Sequence, residues 1–403
     1  MRPITCVPAD APELPGLLRR ALTGELVLAP VPTDPAQADR VRQMLRADEG
    51  IDDPDAAVIV STSGSTGAPK GVVLHASAIA ASVAATHRRL GGPGTWTLAL
   101  PAHYVAGLMV IARALAAEDA DSQAGNSATT TVRLHRAGPH LDGLGGAFDL
   151  PGPHYLSLVP TQLVAALDSP DLVRTLARFD AVLLGGAALP APLRRSTADA
   201  GINLVTTYGM SETCGGCIYD GVPLDGVEVR VDPDTARVDL AGPMAFAGYH
   251  RAPELTEQTL TPATAGSAAT VHTRDRGTLD LSGDRPRLTL LGRLDDVVIS
   301  GGVNVDLARL ESLAEHDLGP AAALGIPDRR WGTRVVLAVA GDLTLTRVRQ
   351  RLAAANPGLD AAALPRGLVR ATRLPLTSSG KIDRQTLIGW YADPPADVTT
   401  ETL

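Results

Sequence analysis

Ser61-Thr62-Ser63-Gly64-Ser65-Thr66-Gly67-Ala68-Pro69-Lys70-Gly71 is the stretch on which the reading of this chain turns. It follows a short apolar run at 57–60 and precedes a helical pattern at 75–90, the order of a strand, a loop and a helix. Three glycines, one lysine and several hydroxyls fall within eleven residues. Glycines let backbone N–H groups approach oxygen atoms closely, hydroxyls add donors, and the lysine supplies the charge that neutralises a triphosphate. A P-loop needs Gly-Lys followed by Ser or Thr, whereas Pro69 precedes Lys70 and Gly71 follows it, so this is not a P-loop. The competing reading is a flexible Ser/Gly linker, and the position directly after an apolar strand counts against it.

Outward from this loop the βα rhythm continues. Strand patterns at 95–100, 155–159, 181–184 and 203–206 are each followed by turn residues and several by helical patterns, which predicts an α/β domain of layered sheets and helices. Two Ala/Gly/Thr-rich tracts, 116–150 and 261–270, lack strong periodicity and are expected to be surface loops or weakly ordered insertions. After Gly292 the texture changes. A strand at 297–300, a helix at 306–316 capped by Asp306, and strands at 321–326 and 333–340 predict a small α+β domain.

The length of 403 residues exceeds what one core usually supports, so two unequal domains are expected. A net charge of -8 and the lack of any basic run argue against a nucleic-acid or anionic-membrane partner. Three cysteines, Cys6, Cys214 and Cys217, make no disulfide framework, and no leader or long apolar stretch is evident, so a cytoplasmic protein without membrane insertion is expected. Oligomeric state is not legible. Of 36 basic residues only Lys70 and Lys381 are lysine. Coding bias accounts for the arginine excess but not for where the two lysines remain, since lysine is a compact point charge that the rigid guanidinium fork does not imitate.

The loop resembles the phosphate-binding signature of the adenylate-forming superfamily: acyl-CoA synthetases, luciferases and the adenylation domains of peptide synthetases. Thr207-Tyr208-Gly209-Met210-Ser211-Glu212-Thr213 is similar to the next core motif of that family. The resemblance implies that Tyr208 stacks on adenine, that Ser211 meets the α-phosphate and that Glu212 holds Mg²⁺. It likewise implies that Thr62, Ser63, Gly64, Ser65, Thr66, Gly67 and Lys70 receive the phosphates of ATP. The turn at Gly185, Gly186 and Ala187 resembles the one that borders adenine, and Asp275 in Thr273-Arg274-Asp275-Arg276-Gly277 stands where the family grips the ribose, with Arg274 in place of the usual glycine. The segment from Gly292 to Gly302 matches the hinge motif, with Arg293 a second ribose contact, Asp295 the pivot, and Gly301 and Gly302 beside the channel for coenzyme A. Lys381, in Pro375-Leu376-Thr377-Ser378-Ser379-Gly380-Lys381, matches the lysine that bridges substrate carboxylate and α-phosphate.

The resemblance thus implies an N-terminal domain at 1–292, a hinge at 293–295 and a mobile C-terminal domain at 296–403 that carries Lys381. ATP, Mg²⁺ and CoA follow as cofactor and co-substrates. The strings 158–163 and 183–190 are most similar to the branch of o-succinylbenzoate:CoA ligases of menaquinone biosynthesis, which implies an aromatic dicarboxylic acid as substrate. An acyl pocket is expected near His103, Tyr104, Thr161 and Gly209, although Thr161 and Gln162 are equally placed to cap a helix. A stand-alone adenylation domain that loads a carrier protein shares all these motifs and is the chief rival. A Ser211 hydrolase lacks the fifth-position glycine of a nucleophile elbow, and Cys214 with Cys217 is too small a set for zinc.

Overall fold

The computed structural model describes every residue except 64–68, 124–131, 139, 187, 188, 190, 358, 360, 362 and 378–381, and describes 63, 191 and 192 by backbone alone. Lys381, Gly64, Ser65, Thr66, Gly67 and Ala187 therefore lie outside the described residues. The chain divides into two compact units: Met1–Arg230, Asp239–Thr273 and Leu279–Leu288 form one, and Val231–Val238, Arg274–Thr278 and Thr289–Leu403 the other.

Two sheets lie wholly within the first unit. One has five strands in the order Ile4–Pro8, Val27–Val31, Ala56–Ser63, Pro69–His75, Gly248–Tyr249, parallel over the first three and antiparallel thereafter. The other has seven, in the order Val222–Pro223, Gly215–Tyr219, Leu204–Met210, Ala181–Leu184, His154–Leu158, Thr95–Leu98, Leu134–Arg136. Its last five run parallel, the arrangement that alternating strands and helices produce. Helices Ala76–Leu90 and Val105–Gln123 share one core with both sheets, joining Val58, Val72 and Leu74 to Trp96, Tyr155 and Val205.

Val105–Gln123 is buried at every position from Gly107 to Leu115, with Leu108, Met109, Val110 and Ile111 fully buried. Each such side chain contributes about 1.5–3 kcal/mol on removal from water. Part of the tract at 116–150 thus belongs to this helix, and Leu134–Arg136 is an edge strand, so the tract is more ordered than expected. A helix buried on every face has no polar stripe, and its alanine-rich end carries no periodicity to read. The turn Thr264 to Ser267 within the other tract is an exposed loop as expected.

The sheet of the second unit runs Val303–Asp306, Val297–Ser300, Gly332–Ala340, Gly367–Ala371, Thr399–Thr402, with Ala321–Asp328 also on Gly332–Ala340. Helix Leu307–Leu318 starts where the sequence places it. The Asp306 carboxylate accepts the Arg309 backbone N–H at 3.0 Å, satisfying a donor that the first turn leaves open. Among the described residues no helix is long and apolar enough to cross a membrane.

Candidate active site

The hydroxyl-rich segment opens as a hairpin, not as a strand running into a helix. Ala56–Ser63 pairs with Pro69–His75 in the register Ser61 to Gly71, Thr62 to Lys70 and Ser63 to Pro69. The second strand was read as part of the loop because only three apolar residues, Val72 to Leu74, mark it. Tyr249 pairs with Val72, two residues beyond Lys70. Directly opposed residues share a face of the sheet, as do residues two apart, so register alone puts the Tyr249 and Lys70 side chains on the same face.

There they meet Glu212, which sits in the turn Ser211–Thr213 that ends strand Leu204–Met210. Lys70 Nζ donates to Glu212 Oε1 at 3.1 Å and to the Tyr249 hydroxyl at 2.7 Å, while its charge lies 4.0 Å from the Tyr249 ring centre. Tyr249 in turn donates to Glu212 Oε1 at 2.6 Å. Glu212 and Tyr249 are buried, and Lys70 is half-buried. A buried carboxylate needs this pairing, because desolvation without a partner costs several kcal/mol. Phe246 holds the same turn, its N–H bonded to the Glu212 carbonyl at 2.9 Å.

Tyr208 is half-buried on the same strand, two residues from Met210, where the strand ends. Ser211 is buried, and its carbonyl accepts the Cys214 N–H at 3.2 Å. Thr62 Oγ1 is buried with no hydrogen-bond partner among the described residues, directly across the hairpin from Lys70. Burial raises both the Cys214 and Cys217 thiols well above their usual range, which leaves them inert as redox or metal groups.

The second unit gathers the remaining charged residues of the sequence reading. Arg293 donates to Asp275 at 3.3 Å and to Asp295 at 3.1 Å, and Arg274 donates to the other oxygen of Asp295 at 3.0 Å. These carboxylates hold the Arg293 charge above its ordinary value against the penalty of partial burial. Arg274 continues strand Thr270–Asp280 without interruption, so the arginine in place of glycine alters the partner of Asp295 and not the path of the backbone.

A family model described as AMP-binding enzyme matches residues 17–249. The chain belongs to that family. A probable 2-succinylbenzoate--CoA ligase of Mycobacterium tuberculosis is 41% identical over 392 residues, covering 95% of this chain and 96% of the relative. The 2-succinylbenzoate--CoA ligase of Lactococcus lactis is 29% identical over 354 residues, covering 84% of this chain and 72% of the relative. Among solved structures, ATP-bound MatB of Rhodopseudomonas palustris superposes with a TM-score of 0.76 at 22% identity, over 97% of this chain and 89% of that one. The o-succinylbenzoate CoA synthetase (MenE) of Bacillus subtilis, in complex with its acyl-adenylate intermediate, gives 0.74 at 20% identity, over 96% and 88%.

In this AMP-binding enzyme several of the anticipated positions have local structural reasons of their own. A Cβ at Gly209 would lie 2.1 Å from the Gly215 carbonyl oxygen, so the approach of neighbouring strands demands glycine there. Gly301 and Gly302, at φ +61° and +83°, are the two central residues of the tight hairpin between Val297–Ser300 and Val303–Asp306. Gly185 donates to the Leu158 carbonyl at 3.3 Å, and Gly186 follows it in the turn after Ala181–Leu184. The Gln162 side chain closes the start of helix Pro160–Leu167 by accepting the Val159 N–H at 3.2 Å, and it also donates to the Ala99 carbonyl at 2.9 Å. Thr161 lies beside it on the first turn, half-buried.

His103 and Tyr104 stack with ring centres 4.2 Å apart just before helix Val105–Gln123. Burial holds the His103 imidazole below its usual range, and its Nδ1 is buried without a partner among the described residues, which favours a neutral ring at this position. Tyr249 is the site residue that sequence reasoning missed. Its signal was slight: one of six tyrosines, in a Gly248-Tyr249 pair beyond the motifs weighed.

Proposed function

We propose that the chain activates o-succinylbenzoate as an acyl adenylate at the expense of ATP and passes the acyl group to CoA. The observation that carries this reading is the buried Lys70–Glu212–Tyr249 cluster at the mouth of the hydroxyl-rich hairpin, in a chain 41% identical over nearly its whole length to a probable ligase of that acid. A carboxylate oxygen bonds to the α-phosphorus while the bond to pyrophosphate breaks; thiol sulfur then bonds to the acyl carbon and AMP leaves. Both reactants of the first step are anions, so the catalyst must cancel charge and hold an in-line geometry.

Lys70 supplies an ammonium to the phosphates, and Thr62 Oγ1 is a buried donor that a phosphate oxygen satisfies. Glu212 suits Mg²⁺. Its bonds from Lys70 and Tyr249 both fall on Oε1, which leaves Oε2 without a hydrogen bond among the described residues, and one carboxylate plus phosphate oxygens is a common magnesium shell. When bound there, Mg²⁺ neutralises phosphate charge. Asp275 and Arg293 are assigned to the ribose, Tyr208 to adenine, Ser211 to the α-phosphate, and Lys381 to the reacting carboxylate. Asp295 is assigned as the pivot of the hinge at 293–295, about which 296–403 turns between half-reactions. Gly301 and Gly302 are assigned to the CoA channel, and His103, Tyr104, Thr161 and Gly209 to the acyl pocket.

The test is pyrophosphate exchange into ATP over a panel of acids, followed by thioester formation with CoA. Exchange with o-succinylbenzoate and a CoA thioester product are expected. Exchange with amino acids but not with aromatic dicarboxylates overturns the substrate, and acyl transfer to a carrier protein but not to CoA overturns the acceptor.

A further inference from the structure

We infer that Tyr249 is a positioning residue that holds Lys70 and Glu212 in the arrangement which admits magnesium-bound ATP. The inference rests on the reading above that these two charges meet the phosphates and the metal. A phenol has one proton, and the two short contacts fix where it goes: Tyr249 donates to Glu212 Oε1 at 2.6 Å and accepts from Lys70 Nζ at 2.7 Å. Oε1 thereby carries both bonds, one from the hydroxyl and one at 3.1 Å from Lys70.

The consequence is a division of labour between the two oxygens of one carboxylate. When Lys70 turns to a phosphate, Tyr249 remains on Oε1 and stops Glu212 from rotating or from following the ammonium. Oε2 stays available to a divalent cation throughout. The tyrosine is itself fixed by burial and by backbone pairing with Val72; the edge-on contact of its ring with Phe246, centres 4.9 Å apart, adds packing but no hydrogen bond. Its ring 4.0 Å from Nζ gives the ammonium a second, softer partner that survives loss of the carboxylate bond.

Tyr249→Phe removes the hydroxyl and keeps the ring, while Phe246→Leu removes the ring contact and keeps the hydroxyl. Calorimetric binding of ATP to the full chain, with and without Mg²⁺ and with no acid present, reads the effect apart from turnover. Tyr249→Phe is expected to weaken magnesium-bound ATP about tenfold, as loss of a hydrogen bond to a charged group does. Metal-free ATP should weaken less, and the thermal midpoint should stay near wild type. Phe246→Leu should lower the midpoint and leave the affinity for magnesium-bound ATP within about twofold of wild type. Equal affinities of wild type and Tyr249→Phe overturn the positioning role alone, as does an equal loss in Phe246→Leu. A wild-type chain that fails to bind ATP overturns the functional reading on which the role rests.

Discussion

Two charged groups, one in each compact unit, are built to opposite specifications. Lys70 and Glu212 have side chains 26% and 11% exposed and are tied, with Tyr249, by three hydrogen bonds, two of them on a single carboxylate oxygen. Arg293 and Asp295 are 42% and 32% exposed, Arg274 is 61% exposed, and their ion pairs form a loose web across two strands and one turn. Removing one member of a buried set leaves a desolvated charge, whereas exposed pairs contribute about 0–1 kcal/mol and exchange readily with water. The first pair is thus costly to break, and the second is cheap to rearrange.

Lys381→Ala sets the outer limit of this contrast. It is expected to lower adenylate formation about 10³-fold while leaving transfer from a supplied acyl-adenylate to CoA near wild type, read by exchange and by single-turnover thioester assay. Equal loss in both steps would erase the assignment of Lys381 to the first. Lys70→Met attacks the buried side directly and should cost about 10² in pyrophosphate exchange, with a lower thermal midpoint because Glu212 keeps only Tyr249 as partner. Asp275→Asn probes the partner of Arg293 that is most covered, 16% exposed; about a tenfold rise in KM for ATP is expected with kcat little changed, the mark of a binding contact. The smallest effect should come from Arg274→Gly, which removes one exposed pair to Asp295 and restores the residue usual at that position. Less than about threefold change in steady-state rate is expected, and a larger one would show that the web is stiffer than its exposure implies.

Most of the layered fold was legible because its strands are short apolar runs between turn residues, as at Ala181–Leu184, and because Asp306 announces its helix. Helix Val105–Gln123 was legible only in its apolar half, since burial on every side removes the periodic polar face. The strand Pro69–His75 was missed because its pairing with Ala56–Ser63 depends on a turn in space, not on a pattern within the run. Local motifs identified Lys70 and Glu212 singly. That they touch, and that Tyr249 from 37 residues beyond Glu212 joins them, is a product of sheet register and was invisible in one dimension.

The contact between Gly209 and Gly215 bears on redesign. Strands at this separation leave no volume for any side chain at 209, since even a methyl group would overlap the facing carbonyl. Libraries that seek a broader or narrower acid range by varying this position will be dominated by unfolded members. Under the acyl-pocket assignment proposed above, diversity is better spent at His103, Tyr104 and Thr161, where side chains already stand and can be exchanged for others.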